Sequence, residues 1–331
     1  MASFRIGLAS LAAAAALIVT SQAAQAASCL GVTFGAAFTG SYNCNDLGQP
    51  GALPSPLGGL TFLDNDTLLI GGAANQGGGV IRQIDVVRDA NNHITGFAGP
   101  STAFATAPNI DGGLSFGPGG VLFATGYSNN TLLQWKPGST SPDRIITLPS
   151  LSSSVGALAF VPAGFAGAGQ MKVVSYSNGN WFTASLTPDG NGTYDVALAL
   201  EVAALAGGPE GMVYIDGANA GFGGIDSLLV AEWGVGKVAT YEIDGNGDPI
   251  QATRRDFLSG LSGAEGAVID PLTGDFLFST FGGGDRVLVI SGFAAPDPNP
   301  DPQPAPEPGG LALVALAGAA MLRAGRRRHV G

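Results

Sequence analysis

The chain has 331 residues, of which 53 are glycine, 21 are proline and only 12% are charged. Glycine and proline are the poorest helix formers, which argues against a helix-rich fold and favours short strands joined by tight turns. Residues 28–308 hold all 25 acidic residues but only 9 of the 14 basic ones, a net charge of −16. A surface this acidic repels nucleic acid, so nucleic-acid binding is excluded.

The N-terminus has the pattern of a secretory signal. Arg5 gives a basic start, residues 8–20 form an apolar run, and Ala24 and Ala26 provide a small-x-small cleavage site. The pattern predicts a signal helix over residues 1–26 that is removed on export. A permanent membrane anchor is the alternative, but the apolar run is short for a membrane span.

Cys29 and Cys44 are the only two cysteines. In an exported chain two cysteines are expected to form a disulfide. Closing a loop of this size contributes roughly 3 kcal/mol in the chain-entropy model. The bridge is therefore predicted to fasten an irregular N-terminal segment. Lipid attachment at Cys29 is the alternative, although it would want a larger aliphatic residue than Ala26.

A five-fold repeat fills the body of the chain. Each copy begins with a short apolar run whose third residue recurs at spacings of 54, 44, 54 and 55. These third residues are Leu60, Leu114, Leu158, Met212 and Ala267. A second apolar run and, after a Gly/Asn turn, a third run follow in each copy, and a weaker fourth usually precedes the next copy.

Four short strands per 40–55 residues is the period of a β-propeller blade. The sequence therefore predicts an all-β fold, a β-propeller of five four-stranded blades over residues 27–295. Six blades of normal length are the alternative. The last copy has three strands, so we expect the segment near residues 32–34 to supply the fourth and close the ring. Closure removes sheet edges that would otherwise invite aggregation.

The units resemble blades of the NHL and SMP-30/gluconolactonase-like propellers, in which an acid–Gly pair opens the innermost strand. In the SMP-30 type a Glu of such a motif and Asn or Asp residues of other blades bind the metal. The resemblance thus implies a metal site that includes Glu210 and Glu265. Both match the Glu-Gly part of the motif, but the Pro and the aromatic residue that follow in the family are absent.

The blade order itself brings acids to one end of the central channel. Asp111, Glu210 and Glu265 open their first strands there, and the second–third loops bring Asn129 and Asn178 to the same side. Oxygen ligands with no basic residue nearby suit Ca²⁺, a hard cation. The alternative is that these side chains only cap turn amides at strand starts.

The same loops bring Glu232, Trp233 and Asp285 to this face as candidate ligand-binding residues. Trp181 and Trp233 lie near turns, where they are candidates to stack a sugar ring; blade packing is the alternative. The Asp-Gly-Asn-Gly sequences at 189–193 and 244–248 are predicted to be hairpin turns on the opposite face.

Catalytic residues are not evident in the sequence. Of the two histidines, His93 is expected on the opposite face, in the loop between strands three and four, and His329 lies in the C-terminal tail. A Ser-His-Asp or Cys-His arrangement would need His93 in the site.

The C-terminus begins with a stiff Pro- and acid-rich linker over residues 296–308. Pro306, Glu307 and Pro308, then an apolar stretch and an Arg-rich end within residues 309–331, resemble in that order the PEP-CTERM sorting signal. The resemblance implies a C-terminal hydrophobic transmembrane helix, export by a Gram-negative bacterium, transient anchoring in the inner membrane and cleavage by an exosortase. This family usually accompanies exopolysaccharide production. An ordinary tail anchor is the alternative.

These features predict an exported, exosortase-sorted β-propeller of the cell surface or extracellular matrix. Its role is expected to be non-enzymatic, either structural or in binding a polysaccharide or a surface protein. The alternative is a divalent-metal-dependent hydrolase of the SMP-30/gluconolactonase type.

Overall fold

The structure is a computed structural model that describes residues 27–29, 31–152 and 154–296. The predicted signal peptide, the Pro-Glu-Pro motif and the C-terminal helix lie outside these residues. Within the described ranges no helix is long and apolar enough to cross a bilayer.

Twenty-two strands make up the described part of the chain. The N-terminal segment contributes β1 (Ala27–Ser28), β2 (Thr33–Phe34) and β3 (Asn43–Gly48). Blade one contains β4 (Leu57–Phe62), β5 (Thr67–Gly72), β6 (Val80–Arg88) and β7 (Ile94–Thr106). Blade two contains β8 (Ile110–Phe116), β9 (Leu122–Gly126), β10 (Thr131–Trp135) and β11 (Arg144–Thr147).

The other three blades follow the same order. Blade three contains β12 (Val155–Phe160), β13 (Met171–Ser175), β14 (Trp181–Pro188) and β15 (Tyr194–Val202). Blade four contains β16 (Pro209–Ile215), β17 (Ser227–Glu232), β18 (Lys237–Glu242) and β19 (Arg255–Ser259). Blade five contains β20 (Ala264–Ile269), β21 (Phe276–Thr280) and β22 (Val287–Ser291).

Each blade is an antiparallel sheet whose strands pair in chain order from the first strand outward. The five-blade prediction is confirmed, and the predicted repeat residues are structurally equivalent. Leu60, Leu114, Leu158, Met212 and Ala267 each pair with the second strand after the bulge that interrupts the start of every first strand.

Hydrophobic side chains fill the seams between neighbouring blades. Five buried clusters each draw on two adjacent blades, and one of them joins blade five to blade one through residues such as Leu277, Val289 and Leu60. Burial of apolar surface on both faces of each sheet explains why the inner strands read as nearly continuous apolar runs. The seam between the last and first blades closes the ring.

The N-terminal segment closes blade five, but through different residues from those predicted. The fourth strand is β3, with Cys44 opposite Ile290 and Asn45 opposite Val289. The prediction that residues 32–34 supply this strand is wrong, because β2 extends the outer edge of blade four, where Phe34 pairs with Leu258. Phe34 packs edge-to-face on Phe257 there, at 5.9 Å between ring centroids.

The predicted disulfide is confirmed. Cys29 and Cys44 are bonded across a sequence separation of 15 residues. The bridge fastens the chain beside β1 to β3, and β1 covers the outer edge of β3. Strand edges that would be open on blade five are therefore covered by the chain's own N-terminus.

Glycine allows the five first strands to approach one another closely at the propeller axis, which we call the hub. A Cβ on Gly59 would lie 2.8 Å from the carbonyl carbon of Gly113. One on Gly211 would lie 2.2 Å from the carbonyl oxygen of Glu265. The high glycine content is thus partly a requirement of backbone packing at the hub.

Candidate metal centre at the hub

One position of the repeat decides the chemistry of the hub. Each first strand opens with a residue paired to the end of the second strand, and the next residue is the second position of the strand in every blade, although blade two has one extra residue between it and the repeat residue Leu114. In blade order these residues are Gly58, Asp111, Gly156, Glu210 and Glu265. Three carboxylates and two glycines therefore surround the hub axis.

The structure brings the three predicted acids together. Asp111, Glu210 and Glu265 each offer a carboxylate oxygen, and these three oxygens lie within 4.8 Å of one another. The three residues are only 1%, 5% and 2% exposed. Burial of three carboxylates in one cluster is unusual, because a buried charge needs a partner.

No partner of opposite charge reaches this cluster within the described residues. None of the ion pairs there includes Asp111, Glu210 or Glu265. Among the described residues, the buried oxygens Asp111 Oδ2 and Glu210 Oε2 have no hydrogen-bond partner. Burying a polar atom without a hydrogen-bond partner costs free energy. A ligand that binds these two oxygens would remove that cost.

The pKa values of the three carboxyls are raised. Burial raises the pKa of Asp111 to about 8, although hydrogen bonds with Glu265, with Asn75 and with the Gly112 N–H act in the opposite direction. Burial raises the pKa of Glu210 well above its ordinary value, and the charges of Asp111 and Glu265 add to the shift. Burial and the neighbouring Asp111 do the same to the pKa of Glu265. The site thus holds either protons or a cation.

Two hydroxyls hold two of the three acid-bearing strands, β8 and β20, in place. Thr125 Oγ1 accepts from the Gly113 N–H at 2.9 Å and donates to the Gly156 carbonyl at 2.8 Å. Ser279 Oγ, from the equivalent position of blade five, accepts from the Gly266 N–H at 3.0 Å and donates to the Gly58 carbonyl at 2.6 Å. Each hydroxyl joins adjacent blades directly at the hub.

The donor set suits a hard divalent cation. It consists of carboxylate oxygens, with the amide of Asn75 next to them, and both cysteines of the chain are in the disulfide. Ca²⁺ takes oxygen ligands, whereas Zn²⁺ sites include His nitrogen or Cys sulfur beside any carboxylate. These residues therefore fit Ca²⁺.

Asn129 and Asn178 lie in exposed second–third loops on the side of the hub. Asn178 Oδ1 accepts from the Asn180 N–H at 3.1 Å, so it caps its own turn. Sequence reasoning missed Asn75, the third residue of the equivalent loop in blade one, whose side chain acts to lower the pKa of Asp111. The signal was available, because Asn129 and Asn178 occupy the same loop position.

Two of the four predicted ligand-binding residues are inside the protein. Trp181 is fully buried and its indole N–H donates to Asp248 at 2.7 Å, so its ring is not free to stack on a sugar. Glu232 is fully buried in an ion pair with Arg254 and accepts from the Tyr241 hydroxyl at 2.9 Å. Both predictions are corrected, since packing and pairing already occupy these side chains.

The other two predicted ligand-binding residues are accessible. Trp233 is 36% exposed, in the loop after β17. Asp285 lies in the loop after β21, where its Oδ1 accepts from the Gly282 N–H at 3.1 Å. Trp233 is therefore the tryptophan that a ligand on this face could meet.

Two predictions for the opposite face agree with the structure. Asp244 caps its turn by accepting from the Asn246 N–H at 2.8 Å, while Asp248 pairs with the buried Lys172. His93 lies in the hairpin between β6 and β7, and its Nδ1 is 2.6 Å from Asp275 Oδ2. His93 therefore lies at the end of its blade opposite to the end that carries the three acids.

Comparisons with known proteins give fold-level likeness only. No family model matches the chain, and no curated protein matches it. Similar solved structures include the PQQ domain of a pyranose dehydrogenase from Coprinopsis cinerea, with 13% identity, 78% of this chain and 97% of that chain covered, and a TM-score of 0.44. A virginiamycin B lyase from Staphylococcus aureus has 14% identity, coverages of 76% and 99%, and a TM-score of 0.42. Neither likeness indicates the role of any residue in this chain.

Proposed function

We propose that this protein is an exported, exosortase-sorted β-propeller of the cell surface or extracellular matrix that binds Ca²⁺ at its hub. Its role is non-enzymatic and associated with exopolysaccharide. The observation that carries the cation site is the buried cluster of Asp111, Glu210 and Glu265, with two unpaired oxygens and no basic neighbour within the described residues.

A calcium ion at the hub would supply the positive charge that the three buried carboxylates lack. It would satisfy Asp111 Oδ2 and Glu210 Oε2 and would favour the ionised form of all three carboxyls. Because the three acids come from blades two, four and five, a shared ion would also tie non-adjacent parts of the ring together. A ligand that binds only the folded state stabilises it by mass action.

Calorimetric titration of Ca²⁺ into the purified protein tests the site. Glu210→Gln and Glu265→Gln keep the side-chain shape but remove a charge, and each is expected to weaken binding by at least about tenfold. Glu201→Gln, an exposed acid on the outer strand β15, is the matched control and should bind as the wild type does. Unchanged affinity in both hub variants, or no binding by the wild type, would reject the proposal.

The proposed localisation rests on the signal-peptide pattern at the N-terminus and the sorting-signal pattern at the C-terminus. Replacing Pro306, Glu307 and Pro308 by alanine in the native host is expected to leave the protein in the inner-membrane fraction instead of at the surface. Cell fractionation and immunoblotting measure this. Normal surface delivery of the variant would contradict sorting by an exosortase.

A divalent-metal-dependent hydrolase of the SMP-30/gluconolactonase type is the second candidate. It is favoured by the same buried cluster, because a divalent ion held by three carboxylates would polarise a lactone carbonyl and activate water. Lactone hydrolysis by the calcium-loaded protein, lost in Asp111→Asn, would support it. A wild-type rate equal to the buffer rate would leave the non-enzymatic proposal in place.

A further inference from the structure

The hub carboxylates lie beneath one face of the propeller, which we call the top face. It consists of ten loops: those between strands two and three of each blade, and those that lead from one blade into the next first strand. The two kinds of loop meet in every blade through the backbone N–H of the residue after the second strand. These bonds are Ala73 to Pro54, Tyr127 to Asn109, Tyr176 to Ser154, Trp233 to Gly208 and Phe281 to Gly263.

The residue after the second strand is aromatic in four consecutive blades. Tyr127, Tyr176, Trp233 and Phe281 occupy it in blades two to five, and Ala73 occupies it in blade one. Trp233 is edge-on to both neighbours, with ring centroids 6.0 Å from Tyr176 and 6.3 Å from Phe281. We call these four residues the aromatic arc.

Packing alone does not account for two members of the aromatic arc, Tyr127 and Trp233. Tyr127 is 39% exposed and Trp233 is 36% exposed, whereas Trp135 and Trp181 are 1% and 0% exposed. Large aromatic side chains left accessible at equivalent positions of a repeat indicate a contact surface.

The aromatic arc borders the hub. A Cβ on Gly208 would lie 2.7 Å from the Tyr176 ring, and one on Gly263 would lie 3.0 Å from Trp233 Nε1. These glycines stand two residues before Glu210 and Glu265, so the rings lie over the backbone that leads to the hub acids. The pKa of Tyr176 is raised by burial first and by the charge of Glu210 next.

Charge is divided unequally between the two faces. Among the described residues, the ten loops of the top face carry only Asp285 and Arg286, and Arg286 is paired with Asp46. The other residues there are Gly, Ala, Ser, Asn, Gln, Pro, Leu, Val and aromatic residues. On the opposite face, by contrast, the loops 63–66, 216–226, 243–254 and 270–275 each carry a pair of aspartates.

We propose that the top face binds an uncharged polysaccharide, with one pyranose ring on Trp233 and another on Tyr127. A pyranose offers an apolar C–H face to an aromatic ring and hydroxyls to amide and hydroxyl side chains, which is the composition of this face. An anionic sugar would meet no free basic side chain within the described loops, and the acidic body of the chain would repel it. This inference rests on the proposed polysaccharide-associated role and names its ligand class and contact residues.

Trp233 is itself the reporter for the test, because the other two tryptophans are buried. Intrinsic fluorescence of the purified, calcium-loaded protein is followed while cellohexaose, laminarihexaose, maltohexaose or oligogalacturonate is added. At least one neutral hexasaccharide is expected to change the emission and oligogalacturonate to leave it unchanged. Preference for oligogalacturonate, or no response to any neutral sugar, would overturn the proposal.

Calorimetry with the responding sugar tests the residues. Trp233→Ala and Tyr127→Ala are each expected to lower affinity by about tenfold, and Trp233→Phe by less, because a stacking ring is kept. Leu63→Ala, an exposed residue of the opposite face, is the control and should bind normally. Sugar binding unaffected by both alanine variants, with thermal unfolding showing that they are folded, would overturn the assignment.

Calcium titration of the same variants separates this inference from the hub proposal. Calcium bound normally by a protein that binds no neutral sugar rejects the top-face site alone. Sugar bound through Trp233 by a protein that binds no calcium rejects the hub site alone.

Discussion

The second residue of each first strand differs in chemistry from blade to blade, although the strand pairing around it is alike apart from one extra bulge residue in blade two. Where it is Asp111, Glu210 or Glu265, a carboxylate lies in a nearly water-free hub. Where it is Gly58 or Gly156, the carbonyl of that residue instead accepts from Ser279 or Thr125. One side chain per blade is thus enough to convert a packing position into a site with ion-binding chemistry.

The raised carboxyl pKa values predict how pH acts on the calcium-free protein. A carboxyl with a raised folded pKa contributes stability that is fully present below its unfolded pKa, about 4, and is lost as pH rises through the folded value. For Asp111 that value is about 8. Between pH 5 and pH 8 calcium should therefore raise the melting temperature progressively more, because it replaces the protons that the hub loses.

Thermal unfolding with calcium and with a chelator, at several pH values, measures this effect. Asp111→Asn removes one of the titrating groups, so its calcium-free melting temperature should fall less with pH than that of the wild type. Other pairs that titrate, such as His93 with Asp275, are the same in both proteins and cancel in the comparison. Equal pH dependence in the two proteins would contradict the buried hub.

Sequence reasoning found the three acids because they recur beside a glycine at the start of a blade. It could not tell that Trp181 and Glu232 are buried, because both stand at strand ends where exposure depends on a partner distant in sequence. For Trp181 the partner is Asp248, and for Glu232 it is Arg254. The local sequence pattern identifies the strand end, whereas contacts made in the folded chain determine whether the side chain is exposed.

At the scale of elements, the closure of blade five depends on a strand from the other end of the chain. The sequence shows that a fourth strand is missing after β22, but residues 32–34 and β3 are both short and weakly patterned. Their assignment follows from the disulfide, which fixes Cys44 beside Cys29, and from packing of Phe34 on blade four. The disulfide is predicted from the sequence, but on its own it does not show which of the two segments pairs with β22, and the Phe34 contact exists only in the folded chain.

Removing the disulfide should loosen this closure. The double variant Cys29→Ser, Cys44→Ser is expected to lose about 3 kcal/mol of unfolding free energy, since the 15-residue loop is no longer constrained in the unfolded chain. Urea unfolding measures the loss, and the reduced wild-type protein should behave like the variant. Identical midpoints for oxidised wild type and variant would show that β3 is held without the bridge.

At the scale of the whole molecule, the narrow ring requires glycine at the hub. A Cβ on Gly211 would lie 2.2 Å from the Glu265 carbonyl oxygen, a contact that only a backbone shift could relieve. Gly211→Ala is therefore expected to destabilise the protein by about 1–3 kcal/mol. It should also weaken calcium binding, because the backbone that must move carries Glu265.

Gly245→Ala is the matched control for this prediction. No atom lies within 4 Å of its Cβ, so the change should alter stability by less than about 0.5 kcal/mol. Chemical denaturation of the two variants beside the wild type makes the comparison. Equal stabilities for Gly211→Ala and Gly245→Ala would contradict a hub closed by backbone contact.

Anomalous diffraction from crystals grown with calcium would locate an ion at the hub. We expect a strong anomalous peak bounded by Asp111, Glu210 and Glu265, with oxygens at about 2.3–2.6 Å. Density in which the three carboxyls are hydrogen-bonded to one another, with calcium only on the aspartate-rich loops of the opposite face, would contradict it.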